Sequence, residues 1–255
     1  MNRKLAITIY LSTAIFFALF FVYPIWHTVK EAFVTTDGGI TFAYVIEILQ
    51  NPVYVEGLVN SFYMGLFTTV LSLIIALPLA LLANTWNFKG KEILNSLILV
   101  PLILPPFVGA LGIKQLLGQA GALNSFLIDL GMMDAAAPYD WLGEGRLPGV
   151  VLMNALHLYP IAYLNISAAL ANVDPALEEA AENLGCHGIR RLFRITFPLI
   201  MPGMFAGATI IFSWSFTELG VPLIFDFTRV TSVQIFDGIK DLSGNPFPYA
   251  LVVVL

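Results

Sequence analysis

Five long apolar runs mark the chain, at residues 5–26, 60–82, 93–116, 147–170 and 199–224, with shorter polar stretches between them. Each reaches the roughly 20 residues that an α-helix needs to cross the hydrocarbon core of a bilayer. None shows the period-two alternation of a barrel strand, and inside a membrane every backbone polar group must be satisfied internally, so the runs predict helices. The first run follows Arg3 and Lys4, as a secretory signal would. It is too long for a signal core, ends in Tyr23-Pro24-Ile25-Trp26 and lacks a small-residue cleavage site, so it is read as a span. A sixth run starts at Pro248 and stops at Leu255, too short to cross. The expectation is an all-α polytopic transmembrane helical bundle, one domain over 1–255, with five complete spans plus a truncated sixth that continues in a longer natural protein.

Charge gives the bundle a direction. Alternating sides from a cytoplasmic N-terminus puts Arg3, Lys4, Lys89, Lys91, Arg190, Arg191 and Arg194 inside, and Lys30, Lys114, Arg146, Arg229 and Lys240 outside or at the outer surface. The inside loops are shorter, so their cation density is the higher, which is the sense of the positive-inside rule. Acidic residues, among them Asp37, Glu56, Glu144, Asp226 and Asp241, fall mostly outside. Composition agrees: 58% of the 255 residues are hydrophobic and 11% charged, against about 45–50% and about 25% in soluble domains. The single cysteine, Cys186, allows no intramolecular disulfide and no paired-cysteine metal site. Pro101, Pro105 and Pro106, with Gly109 and Gly112, predict a kinked or broken third span.

The most informative polar segment is 172–198, between the fourth and fifth runs. Asp174 suits a helix N-cap, Pro175 the first helical turn, and Glu178 and Glu179 the positive end of the helix dipole. Leu177, Ala180, Ala181 and Leu184 recur at helical spacing as a narrow apolar face, and Gly185 supplies a helix stop. A second short amphipathic stretch, with Arg190, Arg191 and Arg194 opposite Ile189, Leu192, Phe193 and Ile195, leads to Pro198. Two short helices meeting at a glycine predict a compact knob on a cytoplasmic loop.

Glu179-Ala180-Ala181, Gly185 and Ile195-Thr196-Phe197-Pro198 resemble the EAA motif of ATP-binding-cassette import permeases, E-A-A, three residues, G, nine residues, I, any residue, L, P. Every spacing matches, and Phe197 in place of leucine is the one departure. The resemblance implies an inner-membrane permease of a binding-protein-dependent importer in a prokaryotic cell. In it, Glu179, Ala180, Ala181, Gly185, Ile195 and Pro198 couple to a separate ATPase subunit. It implies further partners: a second permease half, as homodimer, heterodimer or fused half, and an extracytoplasmic solute-binding protein, with no nucleic acid. ATP is then used by the partner subunits, and the chain has no G-x-x-x-x-G-K-[ST] phosphate loop and is expected to bind no cofactor. The stretch 216–224, with 231–236, is loosely similar to the ferric-iron, polyamine and thiamine branch of these permeases, leaving the solute open, sugars and phosphonates included.

Polar residues inside the runs are the candidates for a solute pathway. Asn154, His157 and Asn165 share one face of the fourth run with Ile161, a pattern that equally serves hydrogen bonds between helices. Glu218, near the outer end of the fifth run, is the costliest residue to leave in lipid and faces a cavity, a partner or the outer interface. Lys114 is expected to snorkel outward. Cys186 and His187 lack further ligands or a triad, so no catalytic residue and no metal site is assigned. An ion-coupled secondary transporter is the alternative, resting on His157 and Glu218 alone.

Overall fold

The computed structural model describes residues 3–35, 38–142, 147–240 and 245–255. Asp37, Glu144, Arg146 and Asp241 of the charge pattern lie outside the described residues. Among the described residues there are helices and no strand, only an isolated antiparallel bridge between Val34 and Ile40. In chain order the helices are α1 (Arg3–Phe17), α2 (Tyr23–Phe33), α3 (Ala43–Gln50), α4 (Pro52–Thr85) and α5 (Lys91–Leu99). Next come α6 (Pro106–Leu117), α7 (Ala122–Asp129), α8 (Leu147–Ala171), α9 (Pro175–Asn183) and α10 (Gly188–Arg191). Last are α11 (Phe197–Phe216), α12 (Gly220–Ile224), α13 (Thr231–Lys240) and α14 (Phe247–Val254).

Among the described residues, four helical stretches are long and apolar enough to cross a membrane: Arg3–Phe33, Pro52–Thr85, Leu147–Ala171 and Gly188–Phe216. The third expected span departs from the prediction. It is a pair, Lys91–Leu102 and Pro106–Asp129, meeting at 94°, so five is reached only if the pair counts as one span. The cause is local: Pro106 forces the preceding Pro105 into extended backbone, with ψ 137°, and the helix cannot run through it. The fifth span also ends earlier than expected, at Phe216, and 220–224 forms the separate helix α12. The final run is the eight-residue α14, within the described residues.

Two π-helical segments, Ala18–Val22 and Leu192–Thr196, each precede a proline by a residue or two, at Pro24 and Pro198. A proline ring collides with the carbonyl four residues back, and widening that turn relieves the collision without stopping the helix.

The chain forms two compact units. One comprises residues up to 59 and from 229. Its core is Ala32, Ile48, Ala250 and Leu251, and Gln234 Nε2 donates to the Val53 carbonyl at 2.8 Å. An Arg229–Glu56 ion pair of 3.1 Å lies in the same unit.

The other unit, 60–228, is held by small residues. Ala76, Ala80 and Ala83 lie on one face of α4 and are buried in a cluster with Leu158, Ala162 and Ile166 of α8 and Ile200 and Ile211 of α11. Between α8 and α11 the approach is closest at Gly203 and Gly207. A Cβ on Gly203 would sit 2.6 Å from Ala169 Cβ and 2.8 Å from the Asn165 carbonyl oxygen. In lipid there is little hydrophobic gain from helix pairing, so close backbone approach at glycine supplies the packing energy. Polar ties add to it: Asn84 Nδ2 donates to Ser167 Oγ at 3.1 Å, and Tyr163 donates to Asn95 Oδ1 at 2.9 Å.

Candidate functional site

The elbow 172–198 forms as its capping residues dictate. Asp174 takes extended backbone, and its carboxylate accepts the Ala176 N–H at 2.9 Å, which starts α9. At the other end Gly185 adopts φ +78°. That left-handed residue lets its N–H reach the Glu182 carbonyl while the Cys186 N–H reaches that of Ala181, both at 2.9 Å, closing the helix. Glu182 and Arg191 then pair across the glycine, joining α9 to α10.

The motif residues divide by exposure. Glu179 and Ala180 are exposed. Ala181, expected on the outward apolar face, is instead 7% exposed, and α9 packs against α10 and the π segment that follow it. Apolar exposure falls on Leu184, Ile189 and Phe193. Ile195 is half-buried within the π segment, and Pro198 sits in the first turn of α11, exposed. Sequence periodicity identified the elbow but not which alanine it presents, because α9 packs on the chain that follows it.

Three of the four candidate pathway residues converge. Asn154, His157 and Glu218 line one cavity of about 360 Å³ with Pro106, Trp214 and Thr217. Asn154 is 2% exposed and donates to Ser215 Oγ at 3.3 Å, which in turn donates to the Met64 carbonyl. It therefore ties α4, α8 and α11 at the cavity's edge. Asn165 is not brought in. Its amide donates to the Ile161 carbonyl at 2.9 Å, and its Cβ would meet a side chain placed on Gly207.

Glu218 lies in the turn after α11, and its Oε1 accepts the N–H groups of Gly220 and Val221 at 2.9 and 3.3 Å. It caps the start of α12. Lys114, expected to snorkel outward, holds the other end: its Nζ is 2.6 Å from the Ile224 carbonyl and 2.7 Å from Asp226 Oδ2. A carboxylate at the N-terminus and an ammonium at the C-terminus both oppose the helix dipole of this short segment.

Sequence reasoning missed Asn124, which is 1% exposed. Its Nδ2 donates to the carbonyls of Gln119 at 2.9 Å and Tyr139 at 2.7 Å, and its Oδ1 accepts from Trp141 Nε1 at 2.6 Å. One buried amide thus folds the loop 118–142 on itself, and an asparagine in a short amphipathic helix gives no sequence signal of it.

An all-helical unit with apolar spans, a broken third span and a projecting two-helix elbow has the fold of an ATP-binding-cassette import permease. The crystal structure of a bacterial ABC transporter involved in the import of the acidic polysaccharide alginate matches with a TM-score of 0.76 at 19% identity, covering 98% of this chain and 88% of that one. The same system in complex with an alginate pentasaccharide-bound periplasmic protein matches at 0.74, with 20% identity and the same coverage. The model of the family described as binding-protein-dependent transport system inner membrane component matches residues 72–254, and the chain belongs to that family. Among its relatives, the spermidine/putrescine transport system permease protein PotB of Haemophilus influenzae is 31% identical over 214 residues, 82% of this chain and 72% of that protein. The molybdenum transport system permease protein ModB of the same organism is 31% identical over 66% of this chain and 71% of its own. The ferric transport system permease protein FbpB of Actinobacillus pleuropneumoniae is 28% identical over 87% of this chain but only 31% of its own length. This is a permease component of an ABC importer of the inner membrane, and such components work with an ATPase and a solute-binding protein.

Proposed function

We propose that the elbow 172–198 is the cytoplasmic coupling loop of this permease and that the cavity at Asn154, His157 and Glu218 lies on its solute route. The single observation that carries this is the elbow's construction. The motif residues form a capped, ion-paired two-helix unit that continues through the π segment into α11, so a push on the elbow is delivered to a membrane helix. In this reading the chain handles no nucleotide itself. Glu179, Ala180, Ala181 and Gly185 seat in the ATPase subunit, with Ile195 and Pro198 setting the return. Closure of the ATPase pair drives the permease and a second permease half between inward and outward access. Such a drive requires the ATPase to bind the elbow differently in the two states, since an equal interaction shifts nothing.

The broken pair crosses as one unit, giving five crossings from a cytoplasmic N-terminus. This places Lys89, Lys91, Arg190, Arg191 and Arg194 on one side, as the positive-inside rule favours. The solute is a small one from the range that the relatives' names span.

Co-purification of the permease with its ATPase subunit tests the coupling role, and Gly185→Arg and Glu179→Lys are expected to abolish it while membrane insertion persists. Cys186, half-buried at the elbow, reports the side: an impermeant maleimide should label it only after the membrane is opened. Labelling in intact cells overturns the assignment.

A further inference from the structure

We propose that the Met64 carbonyl on α4 is an acceptor shared by two hydroxyls. Ser215 of α11 holds it in this structure, and Thr68 of α4 itself takes it when α4 parts from α11, so the helices separate without stranding a polar group. This rests on the reading of the chain as an alternating-access permease and names a contact that opens.

A threonine inside a helix commonly turns its hydroxyl back onto the carbonyl four residues earlier. Thr28 donates in this way to Pro24 at 3.0 Å, Thr69 to Gly65 at 2.7 Å and Thr209 to Phe205 at 2.9 Å. Thr68 does not. It is fully buried, and its Oγ1 finds no hydrogen-bond partner among the described residues. The carbonyl four residues before it is that of Met64, to which Ser215 Oγ already donates at 3.3 Å. A buried hydroxyl without a partner lowers stability, and most of all in a membrane, where water is not at hand. Thr68 thus carries a cost in this arrangement that a second arrangement removes.

Donors and acceptors identify that arrangement. With α4 in contact, Asn154 donates to Ser215 Oγ and Ser215 to Met64. With α4 withdrawn, Ser215 can turn to its own carbonyl four residues back, that of Ile211, and Thr68 to that of Met64. A χ1 step suffices, because helical threonine has two accessible wells, one or other of which bonds the preceding turn. Asn154 keeps Ser215 in both, since α8 and α11 meet backbone to backbone at Gly203. No donor is lost and one is satisfied. The ties from α4 to this pair are also long, 3.3 Å at Ser215 and 3.5 Å from Ser72 Oγ to the Ala155 carbonyl, against about 2.7–2.8 Å for a typical O–H···O bond. Further along α4, Ala76, Ala80 and Ala83 are buried against α8 and α11 and serve as the pivot. Met64 lies 16 residues from Ala80, about 24 Å, so a tilt of about 5° opens roughly 2 Å at Ser215.

The test follows the α4–α11 distance in the permease–ATPase complex in lipid nanodiscs. Spin labels at Val70→Cys and Ile210→Cys, both exposed positions, report it by electron–electron double resonance, with Cys186→Ser removing the native thiol. Two distance populations are expected, in a ratio that ATP changes. Thr68→Val keeps the shape and removes the hydroxyl, so the shorter population should gain about fivefold or more over the longer, the factor one hydrogen bond represents. In a Ser215→Ala background the Met64 carbonyl is open to Thr68 in both arrangements, and the same substitution should shift the ratio by no more than about twofold. The thermal midpoint of Thr68→Val should match or exceed that of the unsubstituted chain, which also shows that the variant folds. A lowered midpoint overturns the proposal, as does a ratio indifferent to Thr68→Val, an equal shift in both backgrounds, or one α4–α11 distance with and without ATP. Access is read separately, from the reactivity of the cavity-lining Thr217→Cys with an impermeant maleimide in proteoliposomes. Reactivity that changes with ATP while the α4–α11 distance stays fixed overturns the exchange alone. Reactivity indifferent to ATP strikes the alternating-access reading and the exchange with it.

Discussion

Replacing Gly203 by alanine should loosen the α8–α11 pair. The new Cβ would lie 2.6 Å from Ala169 Cβ and 2.8 Å from the Asn165 carbonyl oxygen. Carbon atoms in ordinary contact stand about 3.5–4.0 Å apart, so the two helices must part by about 1 Å along this face. Overpacking of this kind costs about 1–3 kcal/mol, and the better helix propensity of alanine returns at most about 1 kcal/mol. A net loss of about 1–2 kcal/mol follows. At Gly207 the nearest atoms are Ala162 Cα at 3.2 Å and Asn165 Cβ at 3.3 Å, so Gly207→Ala should cost less. Gly112 in α6 has nothing within 4 Å and serves as control: Gly112→Ala should be neutral or slightly stabilising. Midpoints of thermal aggregation, followed by size exclusion of detergent-solubilised protein, should rank Gly203→Ala below Gly207→Ala below Gly112→Ala, with about 2–4 °C for each kcal/mol. Adding Ala169→Gly to Gly203→Ala removes the Cβ collision but leaves the carbonyl one, so recovery should be partial. Equal midpoints for Gly203→Ala and Gly112→Ala would refute the close-approach account.

Two further outcomes follow from the polar ties. Asn124→Leu keeps the branched shape but removes the hydrogen bonds with Gln119, Tyr139 and Trp141, worth about 1 kcal/mol each, and amide hydrogen exchange across 119–142 should accelerate by roughly a hundredfold, with unchanged exchange counting against Asn124 as the organiser of that loop. The Lys114–Asp226 pair is exposed on both sides, 39% and 65%, so the coupling between the two charges, read from a double-mutant cycle of Lys114→Met and Asp226→Asn, should be at most about 1 kcal/mol and vanish in high salt. Lys114→Met also strips the Ile224 carbonyl of its donor, so its loss of thermal stability should be larger and persist in high salt, and a loss equal to the coupling would place the whole contribution in the ion pair.

The elements legible in the sequence were those fixed by short-range chemistry. Asp174, Pro175 and Gly185 bound α9 because capping and left-handed backbone are decided within a few residues, and the structure forms each as their types require. The break at Pro105-Pro106 was legible for the same reason, though not its 94° angle, which depends on what the two halves pack against. Helical spacing put Asn154, His157 and Asn165 on one face, yet only the first two reach the cavity. Asn165 lies lower on α8, opposite the glycines of α11, and a one-helix pattern carries no information on where a neighbouring helix comes nearest. Glu218 was singled out by its cost in lipid. Its use as the cap of α12 was hidden because the run 199–224 is apolar on average, which masks Thr217-Glu218, Gly220 and Pro222 as the point where the helix stops after Phe216.

The glycine contact has a mechanical consequence for the same unit. The helical stretch Gly188–Phe216 has 29 residues, about 43 Å at the α-helical rise, and joins the elbow to the cavity-lining Trp214. A rod of that length turned by about 10° about its elbow end moves its far end by roughly 7 Å, more than the width of an aliphatic chain. Whether the turn reaches the cavity depends on α8 moving with α11, because Asn154 and His157 sit on α8 and Trp214 on α11. The backbone approach at Gly203, and the Asn154–Ser215 hydrogen bond nearer the cavity, clamp the pair at two levels. A permease built this way would carry the cavity as one body with the elbow. Access to the cavity would then change at the walls α8 and α11 do not supply, chiefly the broken pair at Pro106, where the missing helical hydrogen bonds leave the backbone easiest to bend.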